Sequence, residues 1–136
     1  MKIQRFGVSL EKDLLKELDV VAKRRNFPNR SQLLRFLIRK DLIEDAWQGN
    51  EEVSGAVVLI YDHHRRDLIN KSLAIQHVFA RIILATQHIH LDHRNCLEII
   101  ALKGRAALLR TLSDKLISLK GVKHGKLVIS ATETVT

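Results

Sequence analysis

The chain is poor in the residues that usually fix a fold or a reaction by themselves. Its 136 residues include one cysteine, one proline, one tryptophan and one tyrosine, and aromatics make up only 4%. A single cysteine excludes an intramolecular disulfide and fits a reducing cytoplasm. With one proline and 46% hydrophobic residues, the composition is globular rather than disordered. No apolar run approaches the roughly 18 residues of a membrane span, and Met1-Lys2-Ile3-Gln4-Arg5 does not begin a secretory leader. The expectation is a cytoplasmic protein with no membrane partner. Acidic side chains are also in the minority, 15 against 23 Lys and Arg, for a net charge of +8. That balance points to nucleic acid or another polyanion. Residues 1–45 carry 11 basic and 7 acidic side chains and residues 46–136 carry 12 and 8, so the excess is shared equally.

What is present is a concentration of metal donors. His88, His90 and Cys96 lie within nine positions, in the pattern His-x-His-x5-Cys. If residues 87–91 are extended, the i, i+2 spacing puts both imidazoles on one face of a strand. Leu91-Asp92-His93-Arg94-Asn95 is polar and turn-prone, and it would fold the run from Cys96 to Leu102 back beside the first. The thiolate then lies near the two imidazoles. Mixed nitrogen and sulfur donors suit zinc, nickel, copper or cobalt and reject magnesium and calcium. A lone cysteine is also commonly a small buried hydrophobe. Three donors leave one position for water or a fourth group, and a catalytic zinc would keep that position open.

The first forty-five residues read as strand, helix, helix. From Gln4 to Leu10 the chain alternates, with Phe6, Val8 and Leu10 on one face and Arg5, Gly7 and Ser9 on the other. From Glu11 to Arg25, residues Leu14, Leu15, Leu18, Val21 and Ala22 fall on one helical stripe. Asn26-Phe27-Pro28-Asn29 breaks the helix, and Asn29 is placed to cap a second one, with Gln32 in the capping-box position. Leu33, Leu34, Leu37, Ile38 and Ile43 form its apolar face. Chains below about 40–60 residues cannot bury enough surface alone, and a lone strand has unpaired backbone groups on both sides. Pairing with the same strand of a second chain answers both problems, giving a symmetric dimer with a two-stranded ribbon. Such a ribbon fits the DNA major groove. Arg5 would reach guanine edges, and Ser9 a base or phosphate. The helix start at Asn29, Arg30 and Ser31 would hold a phosphate. On the strand pattern and Asn29-Arg30-Ser31, this region resembles the ribbon-helix-helix family of DNA-binding domains.

Residues 47–53 lose apolar periodicity and read as a linker, dividing a domain at 1–46 from one at 54–136. Ala56 to Tyr61 is a buried strand and His64 to His77 a helix. Arg81 to Leu91 and Cys96 to Leu102 are the strands carrying the donors. Ala106 to Leu119 is a helix using Ala107, Leu108, Leu112, Leu116 and Leu119, and Lys126 to Ser130 is a last strand. The class is α+β, and the βαββαβ order of the second part is the ferredoxin-like arrangement.

A ribbon-helix-helix domain joined to a βαββαβ domain with His-x-His-x5-Cys resembles the nickel-responsive regulators of the NikR family. The likeness runs from about Gln4 to about Leu127. It includes Gln76-His77, Thr86-Gln87-His88-Ile89-His90, Cys96-Leu97-Glu98-Ile99, Lys103-Gly104 and Gly121-Val122-Lys123-His124-Gly125. The resemblance implies an ACT-like second domain that forms a homotetramer, a dimer of dimers, on a double-stranded DNA operator. It implies one Ni(II) per subunit, held by His88, His90 and Cys96 together with His77 of another subunit. Three nitrogens and one thiolate in a plane favour nickel or copper over zinc. It further implies a repressor of nickel uptake genes and no enzymatic activity. Arg65 and Arg66 match a basic pair that contacts the DNA backbone, and Glu98 is a candidate to orient a donor from behind. His63, His64 and Asp62 match a region of weaker metal sites, and like His93 they read here as solvent-facing. Two departures stand out. Gln32 and Phe36 occupy the places of an acidic pair that helps hold an alkali cation, and Gly7 replaces a hydroxyl-bearing ribbon residue. The rival readings are a regulator responding to copper, cobalt or zinc, one sensing a small molecule such as an amino acid, and a metalloenzyme.

Overall fold

The computed structural model describes residues 2–132 and divides into two compact units between Lys40 and Asp41. In the first, helix α1 (Lys12–Arg24) ends where Asn26 takes φ 62°, the left-handed conformation that terminates helices. Helix α2 (Arg30–Gln48) starts as the sequence predicts: the Asn29 side chain accepts the Gln32 amide at 2.9 Å. Ala22 and Leu33 are buried, and the Phe27 and Phe36 rings meet at 5.4 Å. Residues 2–10 join no strand ladder, and Phe6 is 77% exposed. The strand expected there takes its hydrogen bonds from a neighbour, and the described residues of one chain provide none.

The second unit holds strands β1 (Glu52–Asp62), β2 (Ile83–His90), β3 (Asn95–Arg105) and β4 (Val122–Ser130), with helices α3 (Arg66–Val78) and α4 (Ala106–Ile117). The sheet is antiparallel in the order β2-β3-β1-β4, the ferredoxin-like arrangement. β1 alternates in burial, with Val53, Val57, Leu59 and Tyr61 inside, and β3 matches it with Cys96, Glu98, Ile100 and Leu102. Those residues face α4, whose Leu109, Leu112 and Leu116 complete the core. The opposite face carries Ala56, Val58, Ile60, Leu97, Ile99 and Val128, an apolar surface only partly covered within the chain.

Two expectations are corrected here. The stripe of α4 is Ala106, Leu109, Leu112 and Leu116, while Leu108 is exposed. Leu109 packs against Gly104, where a Cβ would lie 2.7 Å from Ile82 Cγ2 and 3.2 Å from Leu109 Cδ1. The segment 47–53 is the end of α2, a short turn and the first residues of β1. Trp47 is 3% exposed and donates its indole N–H to the Ser130 carbonyl at 2.9 Å. The Arg110 guanidinium lies 5.1 Å over its ring. Gly55 leaves room for the indole, since a Cβ there would stand 3.2 Å from it. Asn50, at φ 53°, then caps α4 from a distance, its Oδ1 accepting the Ala107 amide at 2.8 Å.

Replacing Asn50 tests that cap. Asn50→Gly keeps the left-handed backbone accessible and removes only the acceptor, so a loss of about 1 kcal/mol, the net worth of one hydrogen bond, is expected in urea unfolding. Asn50→Ala adds backbone strain and should lose more; equal stability of both variants to the wild type would rule the cap out.

Candidate metal centre

The β2–β3 hairpin places the candidate donors by register. His90 stands opposite Cys96 and His88 opposite Glu98, while Cys96 and Glu98 face Tyr61 and Leu59 on the other side. Directly opposed residues share a face, so His88, His90, Cys96, Glu98 and Tyr61 all lie on the helix-covered side of the sheet. β2 is the edge strand, and His88 remains 51% exposed.

The hairpin turn is built by Asp92. Its Oδ1 accepts the amides of Arg94 (2.9 Å) and Asn95 (2.8 Å), and its Oδ2 accepts the Asn95 side-chain amide (2.9 Å). Lys123 of β4 donates to Asn95 Oδ1 and ties the turn to the far edge strand. The Asn95 and Arg94 hydrogen bonds hold the Asp92 carboxyl down at about 2.

Behind the donors lies a buried polar network. Glu98, 1% exposed, accepts from Tyr61 Oη at 2.9 Å and from Gln76 Nε2 at 3.4 Å, and His88 Nε2 lies 3.2 Å from its Oε2. Gln76 Nε2 also reaches Ser72 Oγ at 3.0 Å, and Tyr61 Oη lies 3.4 Å from His88 Nδ1. A buried carboxylate is tolerated only with such partners. Burial and the adjacent Glu98 carboxylate push the Tyr61 phenol well above its ordinary value, so it stays a donor at neutral pH. The sequence marks Gln76 only as the neighbour of His77, and Tyr61 only as the lone tyrosine closing an apolar strand.

The donor set fits a late transition metal in chemistry and in the face it shares. Among the described residues, no three His, Cys, Asp or Glu side chains converge closely enough to hold an ion. His88 Nε2 lies 3.2 Å from Glu98 Oε2, and His90 stacks on His63 with centroids 4.5 Å apart. His77 is exposed in the last turn of α3. His93 sits in the hairpin turn, and His64 Nδ1 lies 3.3 Å from Asp62.

The candidate DNA residues are mostly on the surface. Arg5, Gly7 and Ser9 are exposed in the N-terminal segment. Arg30 is committed to a bidentate pair with Asp19, at 2.8 and 2.9 Å, which lowers the Asp19 carboxyl. The Arg30 and Ser31 amides precede the first intrahelical bond, Leu33 to Asn29. Arg65 is half-buried, 3.3 Å from Asp67 and seated against Gly121, whereas Arg66 is exposed.

Asp92 gives a pH signature. Its folded-state value lies below the roughly 3.9 of an unfolded aspartate, so the unfolded chain takes up the proton first on acidification. The stability difference between wild type and Asp92→Asn should be constant above about pH 5 and close as the pH falls through about 2. A difference independent of pH over that window, read by denaturant unfolding, would remove the charge from the turn.

Comparison with known proteins agrees with this architecture. Residues 4–45 match the family model described as ribbon-helix-helix protein, copG family, and residues 54–130 match that described as NikR C terminal nickel binding domain. A Syntrophus aciditrophicus protein is 54% identical over 128 residues, covering 94% of this chain and 93% of its own. One from Chlorobium phaeobacteroides is 51% identical over 132 residues, covering 97% and 98%. One from Pyrococcus furiosus is 44% identical over 133 residues, covering 97% and 96%. All three are provisionally named nickel-responsive regulators. A solved structure of an uncharacterized Thermotoga maritima protein superposes with a TM-score of 0.53 at 20% identity, over 58% of this chain and 98% of that one, and supports the fold alone. No helix among the described residues is long and apolar enough to cross a membrane. The chain belongs to the NikR family of transcriptional regulators, with a ribbon-helix-helix domain and a NikR-type C-terminal domain, and this family is not one of enzymes.

Proposed function

We propose that this chain is a nickel-gated DNA-binding regulator that represses nickel uptake genes in the cytoplasm. The observation that carries the reading is the shared face of His88, His90 and Cys96 on the β2–β3 hairpin, backed by the buried Glu98 network. His88, His90 and Cys96 would hold one Ni(II) per subunit, with His77 of a second copy as fourth donor. When bound, the ion would supply a cross-link between subunits. Glu98 fixes the His88 ring, and burial around Cys96 excludes competing water.

Assembly follows from uncovered apolar surface. Exposed Phe6 and Val8 line one groove of about 580 Å³ with Leu34 and Ile38, and Leu10, Leu14, Leu18 and Leu37 line a second of about 450 Å³; both suit the matching elements of a second copy. The apolar outer sheet face would join two such dimers into a homotetramer. Arg5 and Ser9 would then read an operator in duplex DNA, with the Arg30 and Ser31 amides on a phosphate and Arg66, more than Arg65, on the backbone. Phe36 packs on Phe27 where a carboxylate would help hold an alkali cation, so operator binding here should proceed without that cation. Metal and DNA affinities would be coupled reciprocally.

The test is an anisotropy titration on the chain's own promoter fragment at fixed salt, with and without one equivalent of nickel, and with copper, zinc and cobalt in parallel. Nickel-dependent tightening is expected. A larger gain with another ion would reassign the effector, and equal binding throughout would disconnect the metal from DNA. Arg5→Ala should weaken binding by about 5- to 150-fold, the loss of one bidentate base contact, and leave nickel uptake unchanged. Cys96→Ala should abolish the thiolate–nickel charge-transfer band and the metal-dependent part of DNA binding; a surviving band would exclude the thiolate.

A further inference from the structure

The turn between β1 and α3 meets the β2–β3 turn at His63. Its backbone amide donates to the Arg94 carbonyl at 3.2 Å. Its Nε2–H donates to the His93 carbonyl at 3.1 Å. A carbonyl only accepts, so Nε2 carries the proton. Its ring lies flat on His90, with centroids 4.5 Å apart and planes within 6°. The His64 ring packs against His63 at 4.1 Å, and His64 is itself held by Asp62. His63 is therefore a plate fixed at its edge and through its backbone, and His90, the last residue of β2, rests on it.

The two candidate imidazole donors thus differ in what orients them. His88 is gripped through a ring nitrogen by Glu98. His90 has no carboxylate opposite it, since its partner across the hairpin is Cys96. A histidine's terminal torsion is broad when nothing constrains it, so an edge-strand imidazole would otherwise sample many ring orientations. A flat neighbour pinned by two hydrogen bonds removes that freedom before any ion arrives.

We propose that His63 is a positioning residue of the metal centre: stacking fixes the plane of the His90 imidazole and favours ions that accept it in that plane. The proposal rests on the nickel reading above. Ions that need the ring to turn, as a tetrahedral one would, must first break the stack, so His63 contributes to selectivity without donating to the metal.

The test compares full-length wild type, His63→Phe and His63→Ala. Phenylalanine keeps a flat face and has no nitrogen, and alanine removes both. Nickel and zinc affinities are read by chelator competition, and geometry by the thiolate–nickel band. His63→Phe should keep the band position and the nickel-over-zinc ratio within about twofold. His63→Ala should shift the band and lower the ratio by about three- to tenfold, the scale of one ring–ring contact. A second readout needs no metal: the His90 ring protons should be shifted upfield in wild type and His63→Phe, and not in His63→Ala. A wild-type band and ratio in His63→Ala would overturn the stacking role. Loss of both in His63→Phe would overturn it differently, making the His63 nitrogen the active feature. Absence of a thiolate band in the wild type would instead overturn the nickel reading, and the positioning role with it.

Discussion

The register of one hairpin decides what the rest of the second unit is for. Shifting β2 by a single residue against β3 would turn His88 and His90 to the outer face and leave Cys96 and Glu98 inside without them. The pairing of β1 with β3 cannot slide to compensate, because Val57, Leu59, Ile100 and Leu102 are already committed to the core. Besides the ladder itself, the hairpin is fixed by one carboxylate in a four-residue turn, accepting from two amides and a side chain. The donor face is a consequence of that small turn and of the core beneath it.

Glu98 shows how polar chemistry is kept inside such a core. An uncompensated carboxylate at that depth would be strongly disfavoured, and two donors from β1 and α3, with the His88 ring of β2 beside them, offset the burial. Losing one of them would leave an unsatisfied group at a cost of about 1–3 kcal/mol. The network therefore ties an edge strand and a helix to the centre of the sheet, and each candidate imidazole is restrained on one side before any ligand is present.

Much of this was legible in the sequence because it was written in local signals. The Asn29 cap, the break at Asn26, the strand from Ala56 to Tyr61 and the turn-prone 91–95 segment all depend on near neighbours, and the structure places them where the sequence pattern predicts. The i, i+2 rule put His88 and His90 on one face, and the turn brought Cys96 across from His90. What was not legible depends on residues distant in the chain. Leu109 rather than Leu108 enters the core, packed with Val57, Leu59 and Ile100 of the sheet. Trp47 belongs to the sheet unit through a carbonyl 83 positions away, so polar residues around it looked like a linker. Tyr61, Gln76 and His63 acquire their roles only through partners across the sheet or across a turn. The Arg30 guanidinium pairs with Asp19, a contact the sequence did not signal, while its amide stays at the helix start.

The capping of α4 carries a consequence for how the unit forms. Arg105 offers no side-chain cap, and the acceptor for the Ala107 amide comes from Asn50, 57 positions earlier. The Ala106 amide likewise goes to the Glu51 carbonyl. The start of this helix thus cannot be completed by its own neighbourhood; it waits for β1 and β3 to close a long loop. Helices with local caps nucleate early, whereas one finished by such a distant contact is a late and mutually dependent event in folding. The sheet and α4 should thus gain their structure together, and the donor-bearing hairpin, built on the same β3, matures in the same cooperative step.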